Sequence, residues 1–101
     1  MYRPLPPNVT IKNSEIEGLG LFATDLIPKW EEIGVTHRIF GETINRTPLG
    51  GFYNHSDDPN CVKKKGVNEA TGITTYKLCS LREIQPGEEL TVRYTFYNVK
   101  E

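Results

Sequence analysis

The chain has 101 residues, 37% of them hydrophobic, which fits one compact domain burying roughly 60–68% of the surface its unfolded form exposes. Lys and Arg number 12 against 13 Asp and Glu, for a formal charge of -1, which argues against both a basic nucleic-acid footprint and an acidic disordered tail. No apolar run, in the N-terminal MYRPLPPNVTIK or later, is long enough for a signal h-region or a membrane span. The expectation is a soluble intracellular protein, cytoplasmic or, in a eukaryotic host, nuclear.

Along the chain no internal repeat, low-complexity tract or sustained helical period appears, so a mostly β fold with little helix is expected. Val9, Thr10, Ile11 and Lys12 alternate apolar and polar, as a half-buried strand does. Residues 18–23, GLGLFA, read either as a glycine turn into a strand or as backbone bare enough for a ligand to approach its N–H and C=O groups. They lack the strand-then-helix context of a dinucleotide fingerprint. Ile27-Pro28 fixes a bend, and residues 33–39 alternate again, placing Ile33, Val35, His37 and Ile39 on one sheet face. Residues 61–64 and 73–81 predict a hairpin whose connection, residues 66–72, is glycine-bounded. That hairpin loop is expected to carry Lys63, Lys64 and Lys65, which suit a solvated edge strand guarded against aggregation, or a peptide- or phosphate-binding patch. Pro86-Gly87 makes a type I or II turn, and residues 89–94 alternate as a last strand.

The middle of the chain, residues 53–60, reads YNHSDDPN and follows Gly50-Gly51. Such a cluster is either an Asx-rich turn bonding its own backbone or a site. A calcium loop is disfavoured because the DxDxDG spacing is missing. Cys61 and Cys79 lack CxxC spacing, which argues against a zinc knuckle or disulfide framework and for a reduced compartment. The sequons at Asn8, Asn45 and Asn54 carry no glycosylation meaning without a secretion route. Tyr94, followed by Thr95, Phe96 and Tyr97, is either a core aromatic or a hydroxyl placed in a site.

Taken in order, GLGLFA with Ile27-Pro28-Lys29, then GFYNHS and Pro59-Asn60-Cys61, then residues 81–91 (LREIQPGEELT) and Tyr94, resemble the SET-domain protein lysine methyltransferases. The match runs from about residue 11 to residue 94 of a single domain, 1–101, with a short tail at 95–101. The resemblance implies a β-clip-like fold of several short twisted sheets, with a C-terminal pseudoknot through which the Asn-His segment threads. It implies S-adenosylmethionine as cofactor, its adenine part met by Asn54 and His55 and its methionine end flanked by the backbone of Gly18, Leu19 and Gly20. Tyr94 takes the place of the active-site tyrosine, and Tyr53, Phe96 and Tyr97 are candidate substrate contacts. The implied reaction is in-line methyl transfer to a lysine amine of a protein substrate such as a histone, with no metal and no direct nucleic-acid or membrane partner. A lysine amine has a pKa of about 10.4, so the site must favour its neutral form.

The chain departs from the family pattern in five places. Trp30 replaces the glycine that often follows Pro-Lys, and is expected to cap the core edge; Arg93 replaces the aspartate before the tyrosine. Asp57 and the cysteine-free tail remove the zinc-binding extension, and residues 40–49 replace a longer segment that lines the substrate groove. The family tyrosine after Ile33 is represented only by Thr36 or Phe40. Two functional readings follow: a minimal methyltransferase, or a catalytically reduced SET-like binding module that keeps the fold. A homodimer is expected to cover Phe96, Tyr97 and Val99 and to complete the groove.

Overall fold

The computed structural model describes residues 5–93. Eight strands run in chain order: β1 Val9–Asn13, β2 Leu19–Ala23, β3 Glu32–Phe40, β4 Thr43–Arg46, β5 Asn54–His55, β6 Cys61–Asn68, β7 Ile73–Ser80 and β8 Thr91–Val92. The one helical element among the described residues is a 3-10 turn, Pro48–Gly51, capped by Thr47, whose hydroxyl accepts from Gly50 N. β1 and β2 form a two-stranded antiparallel sheet; the other six strands lie in the order β4-β3-β7-β6-β8-β5. The expected mostly β fold of short sheets is therefore present. Leu21, Ile27, Leu49, Leu78, Ile84 and Leu90 fill a core sealed from solvent, each stabilising by roughly 1.5–3 kcal/mol through apolar burial.

The predicted 61–81 hairpin forms, but Cys61–Asn68 pairs with Ile73–Ser80 along its whole length. Lys63, Lys64 and Lys65 therefore lie in β6 rather than in the loop, and Gly66 sits opposite Thr75 inside the ladder. Asn68 closes the shorter turn instead, its Oδ1 accepting from Ala70 N and Thr71 N. The alternation expected over residues 33–39 is broken by register shifts between Glu32 and Gly34 and between Val35 and His37. These bulges turn Thr36 into the interior, where its hydroxyl donates to Tyr76 O at 3.1 Å. Of the predicted strand 89–94, the described part, 89–93, is regular only at Thr91–Val92, and Glu89 instead bridges Phe22.

The crossing at the C-terminal side has an uncommon construction. β8 lies between β5 and β6 and is parallel to both, with Asn54 opposite Thr91, His55 opposite Val92 and Cys61 also opposite Val92. The chain leaves β5, steps over β8 through residues 56–60, and resumes in β6 without reversing direction, so no long crossover connection is needed. Asn60 replaces the ladder that the step interrupts. Its buried amide accepts from Thr91 N at 2.8 Å and donates to Glu89 O at 2.7 Å, as a backbone peptide would.

A short internal repeat, absent from the sequence reading, organises the core. Residues 21–33 align without a gap on residues 78–90, with Leu21 on Leu78, Ile27 on Ile84, Glu31 and Glu32 on Glu88 and Glu89, and Ile33 on Leu90. The two copies meet at a two-fold-like bridge in which Ile27 N and Ile84 N each donate to the other's carbonyl at 2.8 Å. Equivalent bonds recur: Ala23 N to Glu88 O and Ser80 N to Glu31 O, both 2.9 Å.

Candidate active site

Asn54 is the point where three segments meet. Its Nδ2 donates to Glu89 Oε2 at 2.7 Å and to Ser14 Oγ at 3.1 Å, and it also reaches the carbonyls of Glu17 at 3.2 Å and Leu19 at 3.4 Å. The Ser14 hydroxyl donates in turn to the Glu89 carboxylate at 2.8 Å, and its oxygen accepts from Ile16 N and Glu17 N, closing the loop between β1 and β2. Gly18, at φ 49, supplies the left-handed residue that this loop requires. A Cβ on Gly20 would overlap the Glu89 carboxylate, so a glycine is required there for close approach rather than for flexibility. Gly18, Leu19, Gly20 and Asn54 are thus gathered as expected, around a carboxylate that faces them.

His55 follows on β5, and its Nε2 lies 3.0 Å from Asp57 Oδ1. Past it, Ser56 N donates to Val92 O at 3.2 Å and Asp58 lies 3.5 Å from Arg82 Nη1, so the YNHSDDPN stretch, besides the Asp58 N to Ser56 Oγ bond of its own turn, is tied to the crossing. Beside β8 a depression of about 320 Å³ is lined by Pro59, Cys61, Val62, Lys63, Leu81, Val92 and Arg93. A larger shallow one, about 590 Å³, lies along the β6–β7 hairpin away from Asn54. The first adjoins β8, the strand that carries the crossing, but none of Gly18, Leu19, Gly20, Asn54 or His55 lines it.

Tyr53 is half-buried and packs on the core, with Lys63 Nζ 5.7 Å from its ring centroid. Burial raises the Tyr53 phenol above its ordinary pKa, opposed by the Arg46 guanidinium. Next to it His37 faces Arg46 across β3–β4 and Tyr76 across β3–β7, its ring edge-on to Tyr76 at 6.4 Å. Burial, then Lys63, then Arg46 hold the His37 pKa below its usual value. This face of the sheet is therefore cationic and disfavours a further positive charge.

Residues 40–51 form a tight β3–β4 hairpin and the 3-10 turn, with Phe40 and Ile44 exposed. A Cβ on Gly50 would overlap the Thr36 carbonyl, which fastens the turn to β3. Of the two residues offered for the family tyrosine, Thr36 is sealed in the core and Phe40 is 60% exposed. Trp30 does not cap the core edge: it is 60% exposed, held at φ 64, and lies under Lys29 Nζ at 5.1 Å, because the turn needs a left-handed residue at that position. Cys61 and Cys79 are both buried and unpaired; they sit on neighbouring strands, where Cys61 opposes Ser80 and Cys79 opposes Val62, so their side chains leave opposite faces of the sheet. Burial, followed by the Cys79 thiol, pushes the Cys61 thiol up to about 12. No group of three or more His, Cys, Asp or Glu side chains able to hold a metal occurs among the described residues.

Tyr94, Phe96 and Tyr97 lie outside the described residues. Ser14, Glu89 and Arg46 were missed as site residues by sequence reasoning. Glu89 stood inside the quoted PGEEL element, and Ser14 opens a Ser-to-Gly loop of the type whose hydroxyl bonds its own backbone, so both left a signal. Among the described residues no helix is long and apolar enough to cross a membrane.

A profile of the SET domain matches residues 41–95. A crystal structure of a "putative histone methyltransferase" of Plasmodium falciparum is similar at TM-score 0.73 and 22% identity, over 88% of this chain and 94% of that one. No curated protein matches. With the profile spanning more than half of the residues, and with the glycine turn, the Asn-His strand and the PGEEL segment joined in one crossing, this chain belongs to the SET-domain family.

Proposed function

We propose that the chain is an S-adenosylmethionine-dependent protein lysine N-methyltransferase, acting on a lysine of a protein substrate such as a histone. The observation that carries this is the Asn54 amide, whose nitrogen is satisfied by Glu89, Ser14 and backbone carbonyls while its oxygen accepts no hydrogen bond among the described residues. An acceptor held rigidly beside a glycine-cleared backbone fits the amino-acid end of that cofactor. Asn54, His55 and the backbone of Gly18, Leu19 and Gly20 would hold it. When bound, it supplies a methyl group activated on a sulfonium.

The protein's own contribution is positioning and charge. Tyr94 orients the substrate amine, and Tyr53, Phe96 and Tyr97 contact the substrate. Arg46 and Lys63, which after burial lower the His37 pKa, also disfavour the ammonium form of a lysine brought beside Tyr53 and so favour the nucleophilic amine. Calorimetric titration of S-adenosylmethionine, followed by methyl transfer to a histone mixture, tests the reading. Saturable binding lost in Asn54→Ala, with transfer by the wild type, is the expected result; absence of binding at millimolar cofactor overturns it.

The reduced binding module is favoured by one observation, the bare β3–β4 hairpin standing where a longer groove wall occurs in other members. Cofactor binding without transfer would select it. A homodimer would cover Phe40 and Ile44 and supply a wall; sedimentation as a monomer that still transfers methyl groups removes that part.

A further inference from the structure

β6 is paired on both sides only at its start. Its inner side meets β7 from Cys61 to Asn68, whereas on its outer side β8 meets Cys61 alone, and among the described residues no other strand follows. Leu81 N donates to Asn60 O at 2.8 Å, which sets the phase of the β6–β7 ladder. Even-numbered residues of β6 turn their N–H and C=O groups to β7, and odd-numbered ones turn them outward. Ser80, opposite Cys61, agrees with this phase, since its backbone bonds Trp30 and Glu31 on the far side. Lys65 and Val67 therefore each present a donor and an acceptor on the open edge, at a spacing of roughly 6.7 Å.

Between them, nothing among the described residues requires a glycine at Gly66. It does not lie at positive φ, as Gly18, Gly41, Gly72 and Gly87 do, and a Cβ built on it would meet nothing within 4 Å. A glycine inside a strand weakens it and often marks a place where another chain comes close. Gly66 and Thr75, which oppose each other, line the shallow depression of about 590 Å³, and the next pair along is Lys64 opposite Lys77. Like charges facing each other across a ladder are destabilising. Glu32 offsets Lys77 at 2.8 Å, while Lys64 makes no ion pair among the described residues, so a negative group beside Lys64 would relieve the pair.

We propose that the outer edge of β6 is a strand-addition site for an extended acidic segment of a partner protein. The segment's backbone bonds the outward groups of Lys65 and Val67, its carboxylates reach Lys64 and Lys65, and one of its side chains fills the space above Gly66. Lysines on an edge guard against self-pairing, because a second copy would bring Lys63, Lys64 and Lys65 against the same lysines. That guard excludes this chain and admits an acidic one. Nucleic acid fits less well, since a phosphate only accepts and leaves the two outward carbonyls without donors. The edge lies away from the Asn54 crossing, and its occupancy needs no cofactor.

The probe is a short capped peptide of alternating glutamate and valine, titrated into the full chain by calorimetry and followed by amide NMR. Its controls are the same peptide with lysine for glutamate, the same peptide N-methylated at every internal amide, and oligothymidylate; the protein variants are Lys64→Gln and Gly66→Val. Expected are saturable binding with amide shifts centred on residues 64–68 and a loss of about tenfold or more for both peptide controls. Lys64→Gln should weaken the acidic peptide about threefold. Gly66→Val should weaken it about tenfold while its own thermal midpoint is unchanged or higher, because the new side chain has space in the free protein. An N-methylated peptide that binds as well as its parent reduces the edge to a charged patch and overturns the proposal. So does oligothymidylate that binds more tightly than the peptide, a wild type that sediments as a dimer dispersed by Gly66→Val, or absence of binding at millimolar peptide.

Discussion

The two copies of the internal repeat carry the same backbone through a bend, and they differ in what closes it. In residues 84–90 the turn is closed directly, Glu88 N donating to Gln85 O at 3.1 Å, with Gly87 at φ 89. In residues 27–33 the corresponding left-handed position is Trp30, and the closing bond is interrupted by a side chain from outside: Ser80 Oγ donates to Pro28 O at 2.6 Å and accepts from Glu31 N at 2.8 Å. A buried hydroxyl thus spans the first turn, where the second needs only its own backbone. The glutamates diverge in the same way, Glu32 to an exposed ion pair with Lys77 and Glu89 to Asn54 and Ser14. One copy is tied to the sheet and the other to the candidate site, which shows that a duplicated bend holds the shape while its flanking side chains set the chemistry.

Mutation can break this equivalence or sharpen it. The largest effect is expected at the shared centre, where Ile27→Ala and Ile84→Ala should each cost about 2–5 kcal/mol in urea unfolding; because the two residues bridge each other, the double mutant should depart from additivity. Equal single costs support two equivalent halves, and a cost confined to one denies it. Next, Glu89→Ala should lose about 1–3 kcal/mol by stranding the Asn54 and Ser14 donors. Its counterpart Glu32→Ala should stay within about 0.5 kcal/mol, since Lys77 returns to solvent. Trp30→Gly should stabilise by up to about 1 kcal/mol in thermal unfolding by relieving the left-handed backbone, whereas Gly87→Ala should destabilise by about as much. The smallest effect lies just beyond the first copy, at His37. Its pKa in the folded chain is below the ordinary 6.5, so the unfolded chain binds that proton more readily. Stability is complete above pH 6.5 and declines as pH falls from there towards the folded value; His37→Gln should flatten that decline in urea midpoints measured across it.

Much of the scaffold was legible in the sequence because β-branched alternation over residues 9–12 and 73–81 can be satisfied only by half-buried strands. The motifs also announced a meeting of segments: Asn54 reaches the carbonyls of Glu17 and Leu19 at the 18–20 turn. Two things were not legible. β8 is two residues long, too short to show a period, and its place depends on the Asn60 side chain imitating a peptide. The repeat was hidden because its turn residues differ, Pro-Lys-Trp against Gln-Pro-Gly, and what is retained is a sparse set of Leu, Ile and Glu positions. Ser80 illustrates the limit: nothing local to a strand-end serine announces that it completes a turn some fifty residues earlier (|i−j| = 52).

The insertion of β8 between β5 and β6 also orders events in time. Asn54 and His55 have no other strand partner among the described residues, and the Asn60 amide has no peptide to match until residues 89–91 arrive. On a ribosome, everything up to the β6–β7 hairpin can assemble first, but the gate between β5 and β6 stays unfilled until Val92 has emerged. The glycine turn between β1 and β2, fixed to Asn54 through Glu89, is completed in that same step. A nascent chain therefore acquires its sheet and its candidate site together and late, which makes synthesis of this segment the moment at which the protein becomes competent.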